Sequence, residues 1–216
     1  MSPGHEDRDW GSHHDAELFI RRYFHDLSAL VSQLPYSAIN RIVSIFLEAF
    51  AEQRTIYVFG NGGSAASASH MMCDINKGAG GLGAGTRPRV MALTDNASLI
   101  SAWANDFGYE RIFSEQLKTF IKPRDVAFAI STSGDSPNVL LALETAREYG
   151  AMTVGLAGCQ GGQMKSLCDV CAIVPSDNVQ QVEDLHHATI HSIFVAVRES
   201  LLAGSAKTLM ARAASF

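Results

Sequence analysis

The chain has 216 residues, 47% hydrophobic and 18% charged, with a net charge of -5. That length and balance describe a globular protein with one substantial core or two small ones. The acidic balance argues against nucleic acid as the main partner, because binding a phosphate backbone draws on clustered Lys and Arg. No apolar run reaches the length of a membrane span, and the polar first ten residues do not read as a signal peptide, so a cytoplasmic protein is expected.

Residues 1–12 read as a disordered tail. Two amphipathic helices follow, over about 14–33 and 36–53, joined at Pro35 into a helical hairpin. Each carries one apolar stripe: Leu18, Phe19, Tyr23, Leu27 and Leu30 on the first, Ile39, Ile42, Ile45, Phe46 and Phe50 on the second. Helices placed ahead of an α/β core are expected to pack against a symmetry mate, which makes a homo-oligomer the expectation. From residue 55 to 202 strands and helices alternate. Ile56–Gly60 is a buried strand, followed by Asn61-Gly62-Gly63-Ser64 and a helix to about Lys77. Residues 78–85 hold five glycines in eight positions. Val90–Leu93 is the second strand, with Thr94-Asp95 at its end and a helix from Asn96 to about Asn105. A helix over 110–121 precedes the third strand, Val126–Ile130. Thr153–Leu156, a short helix Gly161–Leu167, and Cys171–Val174 complete five strands, and a long helix runs from about Asn178 past Leu202. Residues 203–216 read as a C-terminal tail. Regular βαβ alternation implies a five-stranded parallel sheet covered on both faces, with ligands beyond the carboxyl ends of its strands.

Three loops lie at those ends: Asn61–Ser64, Thr94-Asp95 and Ser131–Ser136. In the third, an apolar strand stops at Ser131-Thr132-Ser133-Gly134 and a helix starts with Ser136 in the N-cap position and Pro137 first. Backbone N–H groups and the positive end of a helix dipole then converge among four hydroxyls, Ser131, Thr132, Ser133 and Ser136. That is more than capping needs, and it suits a phosphate. Neither a P-loop nor a dinucleotide Gly-x-Gly-x-x-Gly is present, so ATP and NAD are poor ligands for it.

Polar residues repeat at four-residue spacing on two helices. His70 and Asp74 share one face after Ser64; Glu183, His187 and His191 share a face of the last helix, with Asp184 and His186 beside them. Two imidazoles and two carboxylates suit zinc or another divalent first-row ion, and also acid/base work on a phosphorylated small molecule. Of Cys73, Cys159, Cys168 and Cys171, the last two form a Cys-x-x-Cys without a second ligand pair. They read as buried free thiols.

These residues resemble a known family. Gly60-Asn-Gly-Gly-Ser64, His70 with an acid four residues on, Ala104-Asn-Asp-Phe-Gly-Tyr109, Ile130-Ser-Thr-Ser-Gly-Asp-Ser136 and the closing helix with His191 are similar, over about residues 14–202, to the phosphoheptose isomerases of the sugar-isomerase (SIS) superfamily. The resemblance implies a three-layer, flavodoxin-like SIS fold over residues 13–202 and a zinc-dependent homotetramer with sites between subunits. It also implies isomerisation of sedoheptulose 7-phosphate to D-glycero-D-manno-heptose 7-phosphate through a metal-assisted enediol, feeding nucleotide-heptose synthesis. By position, Ser131, Thr132, Ser133 and Ser136 would hold the phosphate, and Asn61, Gly62, Gly63, Ser64, Thr94 and Asp95 the sugar. His70, Asp74, Glu183 and His191 match the metal positions, with Asp74, Glu183 and His191 catalytic.

The chain departs from the family pattern at two of these positions. Asp74 replaces the usual Glu and is one methylene shorter; Glu183 replaces the usual Gln and adds a charge, so either carboxylate can be the proton carrier. His187 stands where the family usually has an apolar residue, and the resemblance demotes it although its spacing nominates it as a ligand. Two other readings are an isomerase of another seven- or eight-carbon sugar phosphate, as in antibiotic sugar assembly, and a partner-binding SIS protein without activity, like the replication-initiation regulator of this superfamily. The histidine at position 191 favours an enzyme over the latter.

Overall fold

The computed structural model describes residues 13–80 and 87–213. The expected N-terminal tail and most of the glycine-rich stretch lie outside the described residues. The chain divides into two units at Gln33/Leu34. In the first, α1 (His13–Val31) is an amphipathic helix with Glu17–Arg21 paired at 2.7 Å one turn apart.

The second unit opens with α2 (Tyr36–Ala51), which buries the expected stripe of Ile39, Ile42, Ile45, Phe46 and Phe50. There follow β1 (Thr55–Gly60), α3 (Gly63–Gly78), β2 (Arg89–Ala92), α4 (Ala97–Phe107), α5 (Ser114–Phe120), β3 (Val126–Ser131), α6 (Pro137–Glu148), β4 (Met152–Gly158), α7 (Met164–Leu167), β5 (Val170–Val174) and α8 (Val179–Ala213). The five strands pair in parallel in the order β2-β1-β3-β4-β5. The order reverses between β1 and β3, so the crevice at their carboxyl ends, Gly60 and Ser131, is where such a sheet binds ligands.

Strand alternation sorts the core into two halves. Ile56, Val58, Val126, Phe128, Ile130, Val154 and Leu156 point to the side covered by α2, α3 and α8. Tyr57, Phe59, Ala127, Ala129 and Ala157 point to the side of α5, α6 and α7. Both faces being covered is why the strands read as unbroken apolar runs, and each fully buried Phe, such as Phe59 or Phe128, contributes about 1.5–3 kcal/mol. At the amino ends of the strands, buried Asp125 accepts from the N–H groups of Thr55 (2.9 Å) and Lys122 (2.8 Å). Asp169 does the same work for Thr153, accepting from its N–H at 2.8 Å and its hydroxyl at 3.0 Å.

Four expectations change. The helix expected over 110–121 is a 3₁₀ turn at Tyr109–Arg111 and then α5, because Ile112 and Phe113 turn inward and Phe113 packs on Phe59 at 5.4 Å. α7 begins only at Met164, since Gly161 and Gly162 hold positive φ angles of 89° and 53°. α8 continues to Ala213, through most of the stretch read as a tail. All four cysteines are free, but none is buried: Cys73 and Cys159 are exposed, Cys168 and Cys171 half-buried. A hydrogen bond donated by its S–H to the Cys171 sulfur, and then burial, raise the Cys168 thiol, while accepting that bond lowers Cys171.

Candidate active site

β1 ends at Gly60, where a Cβ would stand 2.5 Å from the Ile130 carbonyl and 2.8 Å from the Ser64 side chain. Only a glycine lets the first turn of α3 cross the end of β3 this closely. Gly62 (φ 54°) turns the chain into α3, which starts with no side-chain cap, so its first N–H groups face outward at exposed Gly62 and Gly63. The Asn61 amide is locked to that of buried Asn138 by two reciprocal bonds of 2.8 Å, and the Tyr109 hydroxyl donates to Asn61 Oδ1 at 3.1 Å. Asn138 lies in the first turn of α6, so this amide pair fixes the N-termini of α3 and α6 side by side at the sheet's crevice. Two helix dipoles then aim their positive ends into one space.

The turn 131–136 fills the rest of that space. Ser131, buried, accepts the Gly134 N–H at 3.2 Å and shapes the turn, and Ser133 Oγ accepts the Asp135 N–H at 3.2 Å. Gly134 (φ 70°) presses on the Gly161 carbonyl, and the 158–164 loop braces the turn through Gly158 N–H to Thr132 O, Met164 N–H to Gly134 O, and Gln163 N–H to Asp135 Oδ1. Ser136 occupies the N-cap position with Pro137 after it, as expected. Its hydroxyl makes no capping bond, which leaves it for a ligand. Thr132 and Ser133 border a recess of about 160 Å³ with Cys159, Ser176 and Val182.

At the end of β2, the Ser69 hydroxyl bonds Asp95 Oδ1 and lies 3.2 Å from Thr94 Oγ1. Asp95 also borders a cavity of about 600 Å³ with Met72, Met91 and Gln116. Ser69 directly precedes His70, so the Thr94-Asp95 loop is tied to the helix that carries the imidazole. Asn138 and Ser69 were not singled out from the sequence: their bonds join elements far apart in the chain. Tyr109 stands out in the sequence only as the end of Ala104-Asn-Asp-Phe-Gly-Tyr109.

One face of α3 and one of α8 meet. The Nε2 atoms of His70 and His191 are 3.0 Å apart, and Asp74 Oδ2 lies 3.2 Å from the first and 3.6 Å from the second. His187 joins them: a ring nitrogen of each of His70, His187 and His191 falls within 4.8 Å of the other two, and the ring centroids are 4.5–5.0 Å apart. Burial lowers the His187 pKa, the neighbouring His191 and His70 lower it further, and Asp74 and Asp184 oppose the shift. Imidazole lone pairs turned toward one another beside a carboxylate are the donor set of a divalent first-row ion, so the residues fit the metal the family implies. Glu183 is placed elsewhere. Its carboxylate lies against Gly63, about 3.0 Å from where a Cβ would stand, at the positive start of α3. His186, next to His187, turns into the core. It is 1% exposed, neither ring nitrogen makes a well-formed hydrogen bond, and burial pushes its pKa down to about 4 against an opposing contribution from the nearby Ala157 backbone.

A doubly covered parallel sheet with a hydroxyl turn and two helix N-termini at its switch point defines a sugar-isomerase (SIS) domain, and the SIS domain family matches residues 22–158. More particularly, the chain belongs to the phosphoheptose isomerase family. It is 36% identical over 195 residues to the phosphoheptose isomerase of Trichlorobacter lovleyi, covering 86% of this chain and 95% of that one. It is 40% identical over 187 residues to that of a Geobacter species, with 86% and 96% covered. Among solved structures it resembles phosphoheptose isomerase from Neisseria gonorrhoeae, with a TM-score of 0.79, 25% identity, and 85% of this chain and 99% of that one covered.

Proposed function

We propose that this protein converts sedoheptulose 7-phosphate to D-glycero-D-manno-heptose 7-phosphate by aldose–ketose isomerisation. The observation that carries the reading is the convergence of two helix N-termini and the 131–136 turn at one crevice, with an imidazole–carboxylate cluster further along α3. His70 lies seven residues beyond Gly63, roughly 10 Å along the helix. A phosphate held at the turn therefore leaves the far end of a seven-carbon chain within reach of the imidazoles.

Thr132, Ser133 and Ser136 hold the phosphate with the free N–H groups, on a turn shaped by Ser131. Asn61, Gly62, Gly63, Ser64, Thr94 and Asp95 orient the sugar. Binding energy from the phosphate tail thus places the reacting carbons. Asp74 or Glu183 carries the proton between C1 and C2, and His191 exchanges protons with the sugar oxygens. Zinc or a similar divalent ion, held by His70, Asp74 and His191, would supply Lewis-acid polarisation of the carbonyl. The reading extends to a cytoplasmic homotetramer with sites between subunits. In support, Leu18, Phe19, Ile20 and Phe24 of α1 are each more than half exposed, an apolar surface that assembly would cover.

Assaying Asp74→Asn and Glu183→Gln with sedoheptulose 7-phosphate tests the proton-transfer roles. At least one variant is expected to lose about two orders of magnitude or more in turnover. Near-native turnover in both would remove those roles, and turnover only of a longer sugar phosphate would change the substrate.

A further inference from the structure

The family pattern assigns the metal to His70, Asp74, Glu183 and His191, but the side chains are arranged differently. We infer that in this chain the divalent ion is held by three imidazoles, His70, His187 and His191, with the Asp74 carboxylate, and that Glu183 lies outside the set. The inference deepens the isomerase reading and rests on it for the presence of a metal.

The first support is geometric. Ligands at the usual zinc–nitrogen distance of about 2.0–2.1 Å around a tetrahedral ion stand roughly 3.3 Å apart. His70 Nε2, His191 Nε2 and Asp74 Oδ2 already stand 3.0, 3.2 and 3.6 Å from one another, and a nitrogen of His187 lies within 4.8 Å of both other rings.

The second support is the position of Glu183. One turn before His187 on α8, its oxygens sit at the start of α3 against Gly63, in the loop proposed to orient the sugar.

The third is charge. Three neutral imidazoles and one carboxylate carry a formal charge of -1, where two imidazoles and two carboxylates carry -2. A divalent ion in the first set keeps a net charge of +1, and in the second set 0, so the first pulls more strongly on a carbonyl oxygen.

The test is metal binding by the full-length protein, read apart from catalysis. Metal-free wild type, His187→Leu and Glu183→Gln are titrated with Zn²⁺ by calorimetry. The Co²⁺-loaded wild type is then examined by proton NMR for paramagnetically shifted, exchangeable imidazole N–H signals. Loss of partners that merely orient ligands costs about 10–100-fold in affinity, so losing a ligand should cost at least that much in His187→Leu. Glu183→Gln should stay within about twofold of wild type, and the Co²⁺ protein should show three imidazole N–H signals. Two signals, an unchanged Zn²⁺ affinity in His187→Leu, or an equal loss in Glu183→Gln would overturn the assignment. So would a wild type that binds no divalent metal. The signal count uses the wild type alone and stands even if His187→Leu folds poorly. A protein that binds metal through three histidines but leaves sedoheptulose 7-phosphate unchanged would refute the proposed reaction and not this ligand set.

Discussion

The two ends of the sheet are built by opposite rules. At the amino ends, charge is committed: Asp125, buried, and Asp169, at the surface, spend their oxygens on the N–H groups of Thr55, Lys122 and Thr153. At the carboxyl ends, polar groups are held in place by neighbours and still face outward. Asn61 is gripped by Asn138 and Tyr109, the Ser136 hydroxyl makes no capping bond, and the imidazoles of His70 and His191 are exposed. A buried, satisfied carboxylate stabilises; an oriented and exposed one is available for chemistry. The same residue types thus do structural work at one end and are proposed to do binding work at the other.

Substitutions should separate the ends cleanly. The largest effect is expected for His191→Ala, a fall in turnover of about 10³-fold with an unchanged melting temperature, measured by sugar-phosphate assay and calorimetry. Next comes His186, which is buried close to the active-site helix face but turned into the core. Its folded pKa of about 4 lies below the unfolded value near 6.5, so the unfolded chain binds the extra proton. Stability is full above pH 6.5 and falls as the pH drops toward 4, by about 3 kcal/mol in all. Urea unfolding at pH 7.5 and pH 5 should show the loss, and His186→Leu should flatten it. Asp125→Ala should cost about 3 kcal/mol by leaving two backbone N–H groups unpaired, with kcat per folded molecule preserved. If its kcat fell with its stability, the two ends would not be independent. The smallest effect is expected for Ser133→Ala: a rise in KM of about tenfold, close to 1.4 kcal/mol, with kcat nearly unchanged.

Much of this was legible from residue patterns. The strands are buried on both faces, so Ile56–Gly60 and Val126–Ile130 stand out as apolar runs, and Ser131–Ser136 stands out because four hydroxyls follow one of them. His70, Asp74, Glu183 and His191 fell on two helix faces by spacing alone. What stayed hidden depends on side chains from distant segments meeting. Asn138 looks like an ordinary first-turn residue until its amide pairs with Asn61. His187 has the right spacing, yet only the packing of α8 on α3 decides that it, and not Glu183, sits beside His70. The break between Tyr109 and Ser114 arises because Phe113 finds Phe59, a contact no local pattern contains.

The central claim is that this crevice moves a proton between adjacent carbons of a phosphorylated sugar. Incubating the metal-loaded protein with sedoheptulose 7-phosphate in D₂O and following the sugar by NMR tests it directly. The account predicts an aldose heptose 7-phosphate carrying deuterium at C2, and loss of that label in the Asp74→Asn/Glu183→Gln double variant. A sugar phosphate that binds yet emerges unisomerised and free of deuterium would contradict it.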